Sequence, residues 1–219
     1  MVLIFIIVSL FLVTDGQDST TNQHNKCASG EMTGMDFFSE NMTLVMLRRT
    51  YNFTADVNDS ICVKAPFRST VYENLTVARS FTYRNMSSTS FLNISNETII
   101  QLWPITRFLL HFYTELSTTG MKYNLTYVNS TRLWSFNDYN LPNPTLRFKY
   151  CDNNCSVLEV LNEDSSFVGD KKCELWVNAP LGGKPNLSQW TDTHPCVEYF
   201  KNSCRTEYPV QVYNPVLCE

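Results

Sequence analysis

Glu174 and Trp176 are the residues of this sequence whose types and spacing best suit the binding of a charged small molecule. They lie two positions apart in a segment with a strand pattern, so their side chains are expected on one face. A carboxylate beside an indole ring could hold an aromatic ammonium through an ion pair and a cation–π contact. The alternative is that Glu174 is an exposed acid and Trp176 a packed ring at the rim of the fold.

A second acid lies in another alternating segment. The pattern of Leu146 to Asp152 predicts a strand in which Asp152 shares a face with Phe148 and Tyr150. From that face Asp152 could supply a second carboxylate to the same ligand, and Phe148 and Tyr150 are also predicted to be ligand-binding residues.

Arg79 indicates a ligand of the opposite charge, because its guanidinium would bind an anion. It lies in phase with the apolar residues of its segment, so a continuous strand would place its guanidinium on the inner face, where an arginine needs a partner. That partner could be Glu174, Asp152 or the carboxylate of a lipid such as a leukotriene or fatty acid; a bulge would instead turn Arg79 outward. The apolar residues in phase with it are Leu75, Val77, Phe81 and Tyr83, and of these Phe81 and Tyr83 are predicted, with Arg79, to be ligand-binding residues.

Several function classes lack their signatures. The sequence contains no G-x-S-x-G elbow, HExxH, Walker A loop or dinucleotide glycine fingerprint, and we expect neither an enzyme nor a bound cofactor. A net charge of -4 without a basic cluster argues against nucleic-acid binding. Cys151 and Cys155 have metal-like spacing, but the other cysteines and the three histidines do not extend it, so no metal site is expected.

The N-terminus is typical of a secretory signal. The segment from Met1 to Val13 is apolar except for Ser9 and is shorter than the roughly 20 residues of a membrane-spanning helix. Small residues at Thr14 and Gly16 place cleavage after Gly16. A signal peptide over 1–16 and one secreted domain over 17–219, with no membrane partner, are therefore predicted; the alternative is a buried core helix at the start of the chain.

Potential N-glycosylation sites and cysteines support an extracellular location. The sequence has eleven Asn-x-Ser/Thr sites, and Asn154 is set apart because the residue inside its site, Cys155, could already be in a disulfide. Eight cysteines in an oxidising compartment predict up to four disulfides, with the pairing open. The ten sites expected to carry glycans are Asn41, Asn52, Asn58, Asn74, Asn85, Asn93, Asn96, Asn124, Asn129 and Asn186.

Strand patterns dominate the elements that must position these residues. Short helices are expected only near the ends, at Thr33 to Glu40 and from an N-cap at Thr193 to Phe200. About eight antiparallel strands predict a closed barrel or a sandwich, and a closed eight-stranded barrel can hold one small ligand. The strand candidates are Leu44 to Tyr51, Ile61 to Phe67, Leu75 to Arg84, Glu97 to Trp103, Phe108 to Tyr113, Met121 to Tyr127, Leu146 to Asp152, Cys155 to Leu161 and Cys173 to Asn178.

The sequence resembles the tick salivary lipocalins of the histamine-binding protein family. The resemblance rests on Cys173-Glu174-Leu175-Trp176-Val177 followed by Cys196 and Cys218, on Leu47 to Tyr51 ahead of Cys62-Val63, and on Tyr150 to Val157. Where amine-binding members have C-D-[VIL], this sequence has Cys155-Ser156-Val157, so one acid is missing.

The resemblance implies an all-β, eight-stranded antiparallel lipocalin barrel with short N-terminal and C-terminal helices. It also implies the disulfides Cys62–Cys218 and Cys155–Cys196, and leaves the pairing of the other four cysteines open. The implied function is that of a monomeric scavenger of a host inflammatory mediator, with histamine or serotonin ahead of a carboxylated lipid. A second class is a protein-binding module acting on a host complement or coagulation factor, which a barrel filled by Trp103, Trp134 or Phe108 would favour.

Overall fold

The computed structural model describes residues 25–51, 60–86, 91–95, 98–116, 124–161, 171–180, 183–204 and 209–218. The predicted signal segment 1–16 and the predicted sites Asn52, Asn58 and Asn96 lie outside these residues. No helix within the described ranges is long and apolar enough to span a membrane.

Strands are the predominant secondary structure of the described residues. The helices are α1 (Lys26–Ser29), α2 (Gly34–Ser39) and α3 (Pro195–Cys204), with a 3-10 turn at Leu187–Gln189. The strands are β1 (Thr43–Arg49), β2 (Ser60–Ala65), β3 (Ser69–Tyr72), β4 (Thr76–Asn85), β5 (Phe91–Ser95), β6 (Thr98–Gln101), β7 (Ile105–Leu116), β8 (Asn124–Phe136), β9 (Leu146–Cys151), β10 (Cys155–Val160), β11 (Cys173–Ala179) and β12 (Val210–Gln211).

Eight of the strands form a closed antiparallel barrel. Hydrogen-bonded neighbours follow the order β11-β10-β9-β8-β7-β4-β2-β1, and the pairing of β1 with β11 closes the cylinder. β12 adds to β1, β3 pairs with β4, and β5 and β6 form a separate hairpin. The predicted eight-stranded antiparallel barrel with short terminal helices is confirmed.

Apolar residues pack on both sides of the barrel wall. One cluster fills the lumen and includes Phe81, Phe148 and Trp176. A second lies between the outer face and α3 and includes Tyr150 and Phe200. Strand alternation explains this division, because neighbouring residues of a strand point to opposite faces.

Helix α2 enters one end of the lumen, and we call this the closed end. Thr33 and Asp36 form a capping box that starts the helix, with the Thr33 N–H donating to Asp36 Oδ2 at 2.7 Å. Gly34 is required because a Cβ atom there would overlap the Phe148 ring. The close approach brings Phe37 and Phe38 into the lumen, where neither side chain is exposed.

Four disulfides connect the barrel to its terminal segments. Cys62–Cys218 and Cys155–Cys196, which the resemblance implied, are both present. The four cysteines whose pairing was open form Cys27–Cys151 and Cys173–Cys204. The first of these bonds anchors α1 to β9, and the second anchors α3 to β11.

Several element limits differ from those predicted. β7 and β8 are longer than their sequence patterns indicated, and α1, β3 and β5 were not anticipated. Helix α3 begins at Pro195, and the His194 carbonyl accepts from Glu198 N–H at 2.9 Å, so the cap is His194 rather than Thr193. Leu75 is 53% exposed and precedes β4, so it does not face the lumen as its phase predicted.

Candidate functional site

A cavity of about 50 Å³ lies in the half of the lumen opposite α2, which we call the cavity end. Residues of β1, β2, β4, β9, β10 and β11 form its wall, and the connection between β8 and β9 covers it. Its lining residues are Met46, Tyr51, Val63, Phe81, Tyr139, Leu141, Pro142, Asn143, Pro144, Leu146, Val160, Glu174 and Trp176.

Glu174 is the acidic residue of this lining and is 7% exposed. The Tyr51 hydroxyl donates to its Oε1 atom, and Trp176 Nε1–H donates to Oε2 at 2.8 Å. Burial raises the pKa of Glu174, and these two hydrogen bonds and the positive charge of Arg49 partly offset the rise. The predicted proximity of Glu174 and Trp176 on one inner face is therefore observed.

Aromatic rings surround the carboxylate. Phe81 and Trp176 meet edge to face, with centroids 5.9 Å apart, and Tyr51 and Tyr139 complete the ring set around the cavity. Burial raises the pKa of both tyrosines, so their hydroxyls stay protonated at neutral pH. A carboxylate among aromatic faces can bind an ammonium group.

A bulge in β1 creates much of this site. Met46 pairs with Trp176 and Arg48 pairs with Leu175, so Leu47 is an extra residue in the ladder. Beyond the bulge the alternation is reversed, and Arg49 is paired directly with Glu174. Arg49 is completely buried, and Tyr51 follows it into the lumen.

The connection between β8 and β9 is held over the cavity by neighbouring strands. The Tyr83 hydroxyl accepts from Asn140 N–H at 3.3 Å, and Arg132 Nη2 donates to the Leu141 carbonyl at 3.0 Å. The Arg132 guanidinium also lies 5.4 Å from the Tyr139 ring centroid. Tyr83, predicted as a ligand-binding residue, is buried and positions the cavity cover instead of lining the cavity.

Arg79 is buried in the lumen as predicted, but it is bonded to neither Glu174 nor Asp152. Its guanidinium donates to four backbone carbonyls, at 3.2 Å to that of Glu40 and at 3.3 Å to that of Ala65; the other two acceptors are Phe38 and Met42. Burial lowers the pKa of Arg79 to about 10, against the raising effect of Glu40. Arg79 does not line the cavity, because these carbonyls hold it at the closed end.

Phe148, another predicted ligand-binding residue, also belongs to the closed end. Its ring meets that of Phe38 edge to face, with centroids 5.9 Å apart. Phe38 contacts the rings of Phe81, Phe112 and Trp176 as well. Phe38 therefore closes the lumen below the cavity.

The predicted shared face of Phe148, Tyr150 and Asp152 is wrong. Tyr150 pairs with Val157 and Phe148 with Leu158, so Lys149 is an extra residue and the alternation reverses after it. Tyr150 packs outside the barrel, 5.1 Å from the Tyr199 ring centroid.

Asp152 lies in the β9–β10 turn, away from the lumen. Its Oδ1 atom accepts from the N–H groups of Asn154 at 2.7 Å and Cys155 at 2.9 Å. Asp152, Cys155 and Cys196 also lie close enough together to suggest metal ligands. The two sulfurs are bonded to each other, however, so they are not thiolate ligands.

Most of the predicted glycosylation sites that the structure describes with their side chains are exposed. Asn41, Asn74, Asn129 and Asn186 are exposed, and Asn85 is half-buried. Asn154, which was set apart, is exposed in its turn. Asn93 lies in β5 and Asn124 begins β8. Surface positions are compatible with glycan attachment.

The closed antiparallel barrel, with a cavity lined by aromatic and apolar side chains and a buried carboxylate, defines a small-ligand-binding barrel. The family model described as tick histamine binding protein matches residues 22–219, nearly the whole chain. No curated protein matches the chain. The chain belongs to the tick histamine-binding protein family, which is a family of binding proteins.

Two central residues of the site, Arg49 and Tyr51, were not predicted as ligand-site residues. A bulge changes which residues face inward, and strict alternation from Leu44 and Met46 would have turned both outward. The sequence signal was a pair of adjacent arginines, Arg48 and Arg49, at the end of an apolar strand. Because neighbouring residues of a strand point to opposite faces, one of the two had to face inward if the strand included both.

Proposed function

We propose that this protein sequesters a protonated biogenic amine, such as histamine or serotonin, in the barrel cavity without changing it chemically. The observation that carries the proposal is the Glu174 carboxylate among aromatic rings on the cavity wall. Membership of the tick histamine-binding protein family supports it at the level of the ligand class.

The hydrogen bonds of Glu174 leave capacity for a ligand. Each carboxylate oxygen has two lone pairs, and the structure assigns one donor to each, from Tyr51 and Trp176. An ammonium group leaving water needs an acid of this kind, because an unpaired buried cation is unfavourable. The faces of Trp176 and Tyr139 can contribute further attraction for the cation.

The size of the cavity favours a small amine over a lipid. Its volume of about 50 Å³ is smaller than the roughly 150 Å³ of a cavity that holds benzene. An aromatic amine therefore requires side chains such as Tyr139 and Leu141 to move aside, and a leukotriene or fatty acid would require far more. Arg79, the proposed partner of a lipid carboxylate, is held by backbone carbonyls.

A barrel filled by aromatic residues would favour the protein-binding alternative. Of the three residues considered, Phe108 is in the lumen, Trp103 packs against the outer cluster and Trp134 is 38% exposed. The cavity remains beside Phe108, so ligand binding is the better-supported function.

The proposed setting is tick saliva, where capture of a host mediator would suppress the inflammatory response to feeding. The signal-like segment 1–16, the four disulfides and the exposed glycosylation sites support secretion. A scavenger acts by stoichiometry, so the role requires tight binding and abundance.

The test is calorimetric titration of the secreted, disulfide-bonded protein with histamine, serotonin, a leukotriene and a fatty acid. We expect saturable binding of at least one amine. Binding of a lipid together with no heat from either amine would overturn the proposal.

Glu174→Gln tests the residue that carries the proposal. The variant keeps the shape of the side chain but removes its charge, so amine affinity should fall at least about tenfold. The matched control is Glu159→Gln, which removes a buried acid that pairs with Arg147 and does not line the cavity. Equal affinity of wild type and Glu174→Gln would show that Glu174 does not bind the amine.

A further inference from the structure

We propose that Arg49 restricts the cavity to ligands with a single positive charge, so that it accepts a monocationic aromatic amine and rejects a diamine. The inference rests on the proposed function and names the charge class of its ligand.

Arg49 lies close to the carboxylate that would hold the ammonium. It is directly opposite Glu174 in the antiparallel β1–β11 ladder, where facing side chains emerge about 4.5–5.5 Å apart. Both residues are buried in the lumen. A cation bound to Glu174 is therefore a near neighbour of the Arg49 guanidinium.

The environment of Arg49 holds it in this position. Its Nη1 donates to Ser60 Oγ at 3.1 Å, and its guanidinium carbon lies 6.0 Å from the Tyr51 ring centroid. The hydroxyl of the same Tyr51 donates to Glu174. The same tyrosine therefore contacts both the guanidinium and the ligand-binding carboxylate.

The positions of Arg49, Glu174 and the nearby acids determine which charges a ligand meets in the cavity. Among the described residues that line the cavity, Glu174 is the acid, and Arg49 lies opposite it in the β1–β11 ladder. Ser156, at the position where the resemblance implies an acid, is buried and donates to the Tyr150 carbonyl at 2.9 Å. Asp152 lies in the β9–β10 turn outside the lumen, so it supplies no second carboxylate.

A second ammonium in the cavity would therefore be desolvated without an acid. One ammonium is attracted by Glu174 and by the aromatic faces, which together oppose the repulsion from Arg49. A second one finds no further carboxylate among the described residues that line the cavity, and it adds another repulsion. Placing like charges close together in a low-dielectric site is a common way to exclude a competing ligand.

The experiment compares two ligands that share a ring and an aminoethyl arm. Tyramine carries one ammonium group. In 4-(aminomethyl)phenethylamine an aminomethyl group replaces the hydroxyl and supplies a second ammonium. In calorimetric titrations at neutral pH, the secreted wild-type protein should bind tyramine at least about tenfold more tightly. Equal affinities would overturn the inference even if no variant could be produced.

Variants of Arg49 test whether this residue causes the discrimination between tyramine and the diamine. Arg49→Met should narrow the affinity ratio by at least about threefold, because it removes the repulsion but not the cost of desolvating the second ammonium, whereas Arg49→Lys should keep the ratio. The ratio is informative because any change in Glu174 ionisation affects both ligands alike. Arg107→Met, which removes an arginine bonded to Thr70 on the outer face, is the matched control and should leave the ratio unchanged.

The outcomes separate this inference from the proposed function. An unchanged ratio in Arg49→Met would overturn the role of Arg49 while leaving amine binding intact. Binding of neither ligand, nor of histamine or serotonin, would overturn the proposed function and this inference with it.

Discussion

At the closed end of the lumen the Arg79 guanidinium is surrounded by backbone carbonyls, whereas at the cavity end the Glu174 carboxylate lines open space. Both side chains are buried and ionisable, and both lie on strands of the same barrel. The acceptors of Arg79 come from the segment around α2 and from β2. The donors to Glu174 leave lone pairs available.

The difference shows how a structural charge can be told from a functional one. Buried charges are costly at any position, so each must have a reason to be kept. Arg79 binds the segment that closes the barrel. Glu174 has a raised pKa and spare hydrogen-bonding capacity beside a cavity, which is the combination expected of a binding residue.

The largest expected effect concerns the packing of the closed end. Phe38→Ala removes a fully buried ring that contacts five other aromatic rings, and it should lower the free energy of unfolding by about 3–5 kcal/mol. Guanidinium denaturation under non-reducing conditions measures the change. Phe67→Ala, at a ring that is 40% exposed, is the control and should cost far less. A loss below about 1 kcal/mol for Phe38→Ala would contradict the assignment of this end as packed core.

A smaller loss of stability is expected when the buried charge at the closed end, that of Arg79, is removed. Arg79→Met leaves four carbonyls without their donor, and it should cost about 2–4 kcal/mol while leaving the amine affinity of the folded protein within about twofold. Thermal unfolding and calorimetry measure the two quantities, with Arg107→Met as control. Normal stability with selective loss of a carboxylated ligand would show that both ends of the lumen bind ligands.

The fold was predictable because it depends on repeated local patterns. Alternation in segments such as Leu146 to Phe148 defined strands, and the resemblance supplied the barrel and two disulfides. The pairs Cys27–Cys151 and Cys173–Cys204 depend on how α1 and α3 lie on the barrel. No local pattern in the sequence encodes that arrangement.

The site was only partly predictable because two bulges change the phase of its strands. Glu174, Trp176 and Phe81 follow simple alternation, and each was predicted and is found on the cavity wall. The extra residue Leu47 brings Arg49 inward, while the extra Lys149 turns the residues after it away. A bulge depends on the pairing of two strands, so neither strand reveals it alone. The loop residues that cover the cavity have no periodicity from which to predict them.

The smallest expected effect is a pH dependence confined to the cavity end. Burial holds the pKa of Glu174 above its usual value, against the opposing effects of Tyr51, Trp176 and Arg49. As the pH falls through this raised pKa, Glu174 takes up a proton, and tyramine affinity should fall by at most about tenfold per pH unit. Stability should change in the opposite direction, because below that pKa the folded state binds the proton more readily than the unfolded state. Calorimetry and denaturation between about pH 5 and pH 8 measure both, and Glu174→Gln should lose both dependences. If the variant kept the same pH profile, the titrating group would have to lie elsewhere, and the contrast between the two buried charges would fail.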